Sequence, residues 1–162
     1  MEEIILVGMA DLNICCSPDS ITTAALGSCV GIVLYDPLLK VAGLAHIMLP
    51  DSTQITRNQN KAKFADTAID TLIKLMEVEY SIRKSRLVSK IAGGAQMFNF
   101  KTQNDTLRVG ERNVIATKDN LKLHDIPIIA EDIGENYGRT IVFYPETGEL
   151  DIKAVGKPIK TI

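Results

Sequence analysis

Residues 27–50 read GSCVGIVLYDPLLKVAGLAHIMLP. Two apolar runs rich in β-branched residues, Val30 to Tyr35 and Val41 to Leu49, flank Asp36-Pro37-Leu38-Leu39. Proline suits the second position of a type I turn, and Pro50 ends the second run. The pattern predicts a β-hairpin. With Asp36 to Leu39 as the loop, Tyr35 stands opposite Lys40, Leu34 opposite Val41 and Cys29 opposite His46. Directly opposed residues of an antiparallel pair have Cβ atoms roughly 4.5–5.5 Å apart, so this register brings a thiol to an imidazole. A slip of one residue would put them on opposite faces.

A free thiol is a weak nucleophile at neutral pH. An adjacent imidazole that takes its proton activates it. The pair Cys29 and His46 is therefore a candidate nucleophile and base. Gly27 and Ser28 form a turn directly before the thiol. Glycine tolerates backbone angles closed to other residues, so the turn can aim N–H groups, that of Cys29 among them, at the oxyanion of a tetrahedral intermediate. Against this stands the packing alternative: a lone cysteine beside an apolar strand is commonly a small buried hydrophobe. A third group should orient the imidazole. Neither Asp nor Asn lies within the hairpin strands, but Thr22 and Thr23 stand upstream of the turn. A hydroxyl there can accept the ring N–H; each is equally an ordinary strand threonine.

Outward from the hairpin, Ile4 to Val7 reads as a first strand and Asp11 to Ser20 as a polar loop broken by Pro18. Asp51 to Asn60 is a polar loop. Phe64, Ala65, Ala68, Ile69, Leu72, Ile73 and Met76 recur at helical spacing, and the stripe reads as core. Leu87 to Ala92 is a strand running into Gly93-Gly94, Asn113 to Leu123 a weaker helix, and Ile126 to Ala130 a short strand. Arg139 to Tyr144 and Leu150 to Val155 form a late hairpin around Glu146-Thr147-Gly148. The expected fold class is α+β: a mixed or antiparallel, sandwich-like sheet core with packed helices. Phe98 and Phe100 alternate as core anchors or as a partner patch.

The 162 residues suit one domain, 1–162, with one substantial core. Apolar residues make up 46% and charged residues 23%, a globular rather than disordered mixture. Formal net charge is -2 without a dense basic cluster, which argues against nucleic-acid binding or an anionic membrane surface. No apolar run reaches membrane-spanning length, and the acidic start Met1-Glu2-Glu3 does not read as a secretory signal. The expected location is the cytosol. Cys15, Cys16 and Cys29 are odd in number and include an adjacent pair, which suits free thiols better than disulfides. Cys15 and Cys16 read as bystanders. With His46 and His124 the only histidines, a multi-histidine metal site is not expected. His124, near a helix end, is assigned no chemistry.

The run Leu26-Gly27-Ser28-Cys29-Val30, then Leu34-Tyr35-Asp36 and His46-Ile47-Met48-Leu49-Pro50, resembles the signature of the CheD family, the chemoreceptor glutamine deamidases of chemotaxis. The resemblance continues through Lys63 to Ala68, through Lys90-Ile91-Ala92-Gly93-Gly94-Ala95 with Met97-Phe98, and through Gly110-Glu111-Arg112-Asn113-Val114. It implies a fold similar to bacterial toxin cysteine deamidases, with Cys29 as nucleophile, His46 as base and Thr23, rather than Thr22, as third catalytic residue. It also implies hydrolysis of receptor glutamine side chains to glutamate and ammonia with no metal or organic cofactor. The implied partners are chemoreceptor cytoplasmic helices as substrate and a CheC-type response-regulator phosphatase, whose stimulation is an alternative role. One motif departs: family members often carry Gly-Gly after the late Glu-Asp, whereas Glu131-Asp132-Ile133-Gly134-Glu135 keeps only the first glycine.

Overall fold

The computed structural model describes residues 2–53, 60–97 and 108–162; Phe98 and Phe100 lie outside this set. The strands are β1 (Ile4–Val7), β2 (Asp11–Cys16), β3 (Ser20–Leu26), β4 (Val30–Asp36), β5 (Val41–Ile47), β6 (Val88–Gly93), β7 (Ile128–Ile133), β8 (Arg139–Tyr144), β9 (Glu149–Lys153) and β10 (Lys160–Thr161). Two α-helices, α1 (Ala65–Tyr80) and α2 (Val109–Leu123), join them, with a 3-10 turn at Lys84–Arg86. The fold is α+β, as expected. One mixed sheet has the order β1-β3-β8-β9-β10 and the other β2-β5-β4-β6-β7.

The hairpin β4–β5 lies at the centre of the second sheet, and every one of its strand residues is buried. Alternation then assigns the faces. Val30, Ile32 and Leu34, with Ala45 and Ile47, pack against α1 and α2 in one core. Val33, Tyr35, Ala42 and Leu44 pack with Ile21, Ile141, Phe143 and Leu150 of the other sheet in a second core. The molecule is thus layered sheet, sheet, helices, with β4 and β5 buried on both sides. Gly43 lets α1 sit close: a Cβ there would meet Leu72 Cδ1 at 2.7 Å. The helix stripe from Ala65 to Met76 is core, as its spacing predicts.

Two expectations are corrected. The hairpin register is shifted by two residues: Asp36, not Leu34, pairs with Val41, and Gly31, not Cys29, stands opposite His46. The turn therefore holds Pro37 to Lys40. Asp36 Oδ1 accepts from the backbone N–H groups of Leu38 and Leu39, and Lys40 closes the turn with φ 54°. The other Asp36 oxygen takes two hydrogen bonds from Arg86, so this fully buried carboxylate is satisfied. Secondly, Asp11 to Cys16 is an edge strand rather than a loop, pairing with β5 from Asp11↔His46 to Cys16↔Val41. Leu12, Ile14 and Cys16 alternate toward the helix-side core, a period-two pattern present in the sequence but outweighed there by Asp11, Asn13 and Pro18.

Candidate functional site

Strand direction gathers the chemistry at one end of the sandwich. β1, β3, β5, β6 and β7 finish there, and β2, β4 and β8 begin there. Cys29 lies one residue before β4 and packs in the core between the sheets. A shift of two residues preserves the face, so Cys29 and His46 still look to the same side, now as diagonal neighbours. Diagonal pairs sit roughly 7–8 Å apart, within reach of a long or aromatic side chain. Opposite His46, Gly31 has no Cβ; one there would come 2.7 Å from Ile141 Cδ1 and 3.1 Å from Leu26 Cδ1. The bare backbone lets the other sheet close over this point.

From that other sheet comes Thr23. Its hydroxyl lies 2.7 Å from His46 Nδ1 and donates to the Val7 carbonyl at 2.7 Å. A hydroxyl has one proton. Because the Val7 carbonyl can only accept, the Thr23 oxygen must accept from Nδ1–H. That fixes the tautomer and leaves the lone pair on Nε2, which is buried and, among the described residues, without a hydrogen-bond partner. Thr23 and His46 are almost wholly enclosed, and Cys29 is 7% exposed. Thr22 points the other way and donates to the Ile141 carbonyl at 2.7 Å. The structure thus brings together Thr23 and His46 by a direct bond, with Cys29 on the same face, and separates Thr22 from them.

Burial sets the protonation states. It pushes the Cys29 thiol above its ordinary value of 9.0, partly offset by the residue's own backbone N–H. It pulls the His46 imidazole below its ordinary 6.5. Both shifts favour the uncharged forms, thiol and imidazole. Cys15 is pushed up to about 12 by burial, then by the Asp19 and Cys16 charges. It lies on β2, well along the strand from the site end.

The turn bearing Cys29 is strapped on three sides. Gly94 N–H donates to the Cys29 carbonyl and Ala95 N–H to the Gly27 carbonyl, each at 2.8 Å. A Cβ on Gly93 would fall 2.3 Å from the Cys29 carbonyl oxygen, so the Gly93-Gly94 pair permits a backbone approach that no other residue allows. Met97 lies over Gly27, 3.2 Å from where its Cβ would be. From the helix layer, Asn113 Nδ2 donates to the carbonyls of Ser28 at 2.9 Å and Met48 at 3.0 Å. Sequence reasoning gave Asn113 no role; a polar residue on the inner face of an otherwise amphipathic helix was the available signal. Gly134 (φ 80°) and Glu135 (φ 61°) both adopt left-handed backbone, and their segment bonds to Gly93 and Gln96. The departure from a second glycine thus falls where glycine is sterically favoured. Among the described residues, no three His, Cys, Asp or Glu side chains cluster as a metal site requires. No helix among them is long and apolar enough to cross a membrane.

These features define an α+β protein with a thiol, an oriented imidazole and a hydroxyl gathered at one end of its two sheets, the side-chain set that cysteine hydrolases use. More particularly, the chain belongs to the CheD family, described as CheD chemotactic sensory transduction, whose profile matches residues 48–154. That match begins after His46, so it is independent of Cys29, His46 and Thr23. Relatives span the remainder. A protein of Lachnoclostridium phytofermentans, named probable chemoreceptor glutamine deamidase CheD, is 64% identical over 162 residues, covering 100% of both chains. The chemoreceptor glutamine deamidases CheD of Halalkalibacterium halodurans and Bacillus subtilis are 53% and 51% identical. The first match covers 100% of both chains, the second 98% of this chain and 96% of the relative.

Proposed function

We propose that this chain, acting as a single domain, is a chemoreceptor glutamine deamidase. It hydrolyses receptor glutamine side chains to glutamate and ammonia, with Cys29 as nucleophile, His46 as general base and acid, and Thr23 as the group that orients His46. The observation that carries this reading is the relay Val7 carbonyl, Thr23 hydroxyl, His46 Nδ1–H, which leaves Nε2 unpartnered among the described residues, on a residue that shares its sheet face with Cys29.

The chemistry follows from the resting states. As substrate enters, Nε2 takes the thiol proton and Sγ attacks the amide carbon. The Thr23 oxygen steadies the imidazolium as it forms, accepting a hydrogen bond that strengthens with charge. Cys29 N–H is one donor to the new oxyanion, with Gly27 and Ser28 shaping the turn. His46 returns its proton to the departing nitrogen, and ammonia leaves a thioester. Water, deprotonated by the same Nε2, attacks the thioester carbon; the C–S bond breaks, glutamate forms and the thiol is restored. One water is consumed and no electrons change hands. Starting neutral has a consequence: no thiolate need be held ready before the amide arrives.

The test is ammonia release from a purified receptor cytoplasmic fragment, with free glutamine as control. Release from the fragment, abolished by Cys29→Ala and reduced comparably by His46→Ala, is expected, because such groups act as a unit. Absence of release from any receptor fragment with the intact chain would refute the reading. A CheC-type phosphatase, the partner that the resemblance implies, belongs to the same proposal as a ligand of the site end. Its addition is expected to slow release in proportion to complex formed.

A further inference from the structure

The Ser28 and Met48 carbonyls lie just beyond the last rung of the hairpin ladder, Val30↔Ile47. One precedes Cys29 directly; the other follows His46 by two residues. Past that rung the two chains are drawn to different neighbours. Cys29 is bonded by Gly94, the residue after β6, while Met48 and Leu49 donate to the Lys63 carbonyl at 2.8 and 3.1 Å. Asn113 reaches into this fork from α2, fully buried, and spends both Nδ2 protons on the two carbonyls. Its orientation is not ambiguous, because carbonyls only accept and so face the amide NH2. Among the described residues its Oδ1 is buried without a partner, so the side-chain hydrogen bonds that hold it there are those of its donors.

The helix is built to deliver it. A Cβ on Gly94 would lie 2.3 Å from Val114 Cγ2, and one on Gly110 would lie 2.3 Å from the Ala95 carbonyl oxygen. These bare positions bring the first turns of α2 against the strand extension that also straps Cys29. One turn further along, Thr117 is equally buried, and among the described residues its hydroxyl has no partner. It supplies an internal comparison: a buried polar residue on the same face that does not grip the site.

We propose that Asn113 is a positioning residue, which sets the spacing between the nucleophile turn and the base strand so that Nε2 meets the thiol. The proposal rests on the Cys29 and His46 roles given above. It acts through those two groups and touches no reacting atom. A displacement of about 1 Å between reacting groups costs on the order of 100-fold in rate, so loss of the two bonds should lower kcat about that much with KM little changed.

The test uses the full chain with Asn113→Ala, Asn113→Asp and Thr117→Val, and Asn113→Ser should Ala fail to fold. Asn113→Asp keeps the shape but has at most one proton for two carbonyls, so it should be slower than the parent. Ser keeps one donor and should fall between Ala and the parent, and Thr117→Val should match the parent. A second readout needs no receptor: the rate at which iodoacetamide alkylates Cys29, followed by mass spectrometry across pH. His46→Ala and Asn113→Ala should each slow alkylation near neutral pH, and the double variant should be no slower than His46→Ala alone, since both losses remove one interaction. Additive losses in the double variant, or a folded Asn113→Asp with parental kcat, would overturn the positioning role. Should the parent fail to deamidate any receptor fragment, the deamidase reading falls while the alkylation cycle still judges Asn113.

Discussion

At the scale of single residues, the site depends on where one hydroxyl proton goes. Thr23 gives its proton to the Val7 carbonyl and so can only accept from His46. Thr23→Val removes that acceptor and frees the ring to take the other tautomer. The expected loss in kcat is about 100-fold, within the range for disabling a general base, while Thr22→Val, which loses only a bond to the Ile141 carbonyl, should leave kcat near the parent. Steady-state rates on a receptor fragment check both. The neutral pair also sets the pH profile. His46 must be unprotonated to act as base, and burial holds its pKa below 6.5. The acid limb of kcat/KM should therefore fall below pH 6.5, with activity retained as pH drops through that value. An acid limb above 6.5 would contradict an imidazole whose pKa is lowered by burial. The choice between Thr22 and Thr23 was beyond the sequence pattern alone, since both are ordinary strand residues there. What decides it is alternation with Ile21, which is fully buried between the sheets.

Elements fix what residues cannot. The hairpin was legible from its two apolar runs and Pro37, yet its register was misplaced by two. The side chain of Asp36 builds a turn one residue later than Asp-Pro suggests. Because the side-chain period of a strand is two, that error left Cys29 and His46 on one face. Pairing between the sheets was not legible, since no local pattern states that β3 lies over β5. Besides the Thr23–His46 bond, a buried arginine ties the sheets at the site end. Arg139 of β8, fully buried, donates to Asp132 of β7 at 3.1 Å and to the Gly134 carbonyl at 3.0 Å, beneath the Tyr137 ring at 4.6 Å. Arg139→Met would leave Asp132 with only Lys160, at 3.1 Å. Breaking a buried pair from one side costs about 3–5 kcal/mol; the surviving Lys160 contact places this variant near the lower end. Urea unfolding monitored by circular dichroism measures it, and a loss under 1 kcal/mol would show the tie to be dispensable.

For the whole molecule, three layers put every functional segment at one end, where the turns after β1, β3, β5, β6 and β7 converge. Exposed apolar side chains flank that end: Met9 in the β1–β2 turn and Met97 over Gly27. Methionine is flexible and suits surfaces that accept helices, the form in which the proposed receptor substrate is expected to present its glutamine. Met97→Glu should raise KM for the receptor fragment at least about tenfold, the effect of losing roughly 1.4 kcal/mol of contact, with Cys29 alkylation unchanged. An unchanged KM would place the receptor elsewhere on the surface.

The central claim is that Cys29 converts receptor glutamine to glutamate. Mass spectrometry of receptor-fragment peptides, taken after incubation with the intact chain and with Cys29→Ala, reads it directly. Replacing a side-chain NH2 by OH adds about 1 Da per site. The predicted result is a gain of that size at specific glutamines with the intact chain and none with Cys29→Ala, which loses one sulfur from a 7% exposed position and should stay folded. The same gain with folded Cys29→Ala would contradict the account.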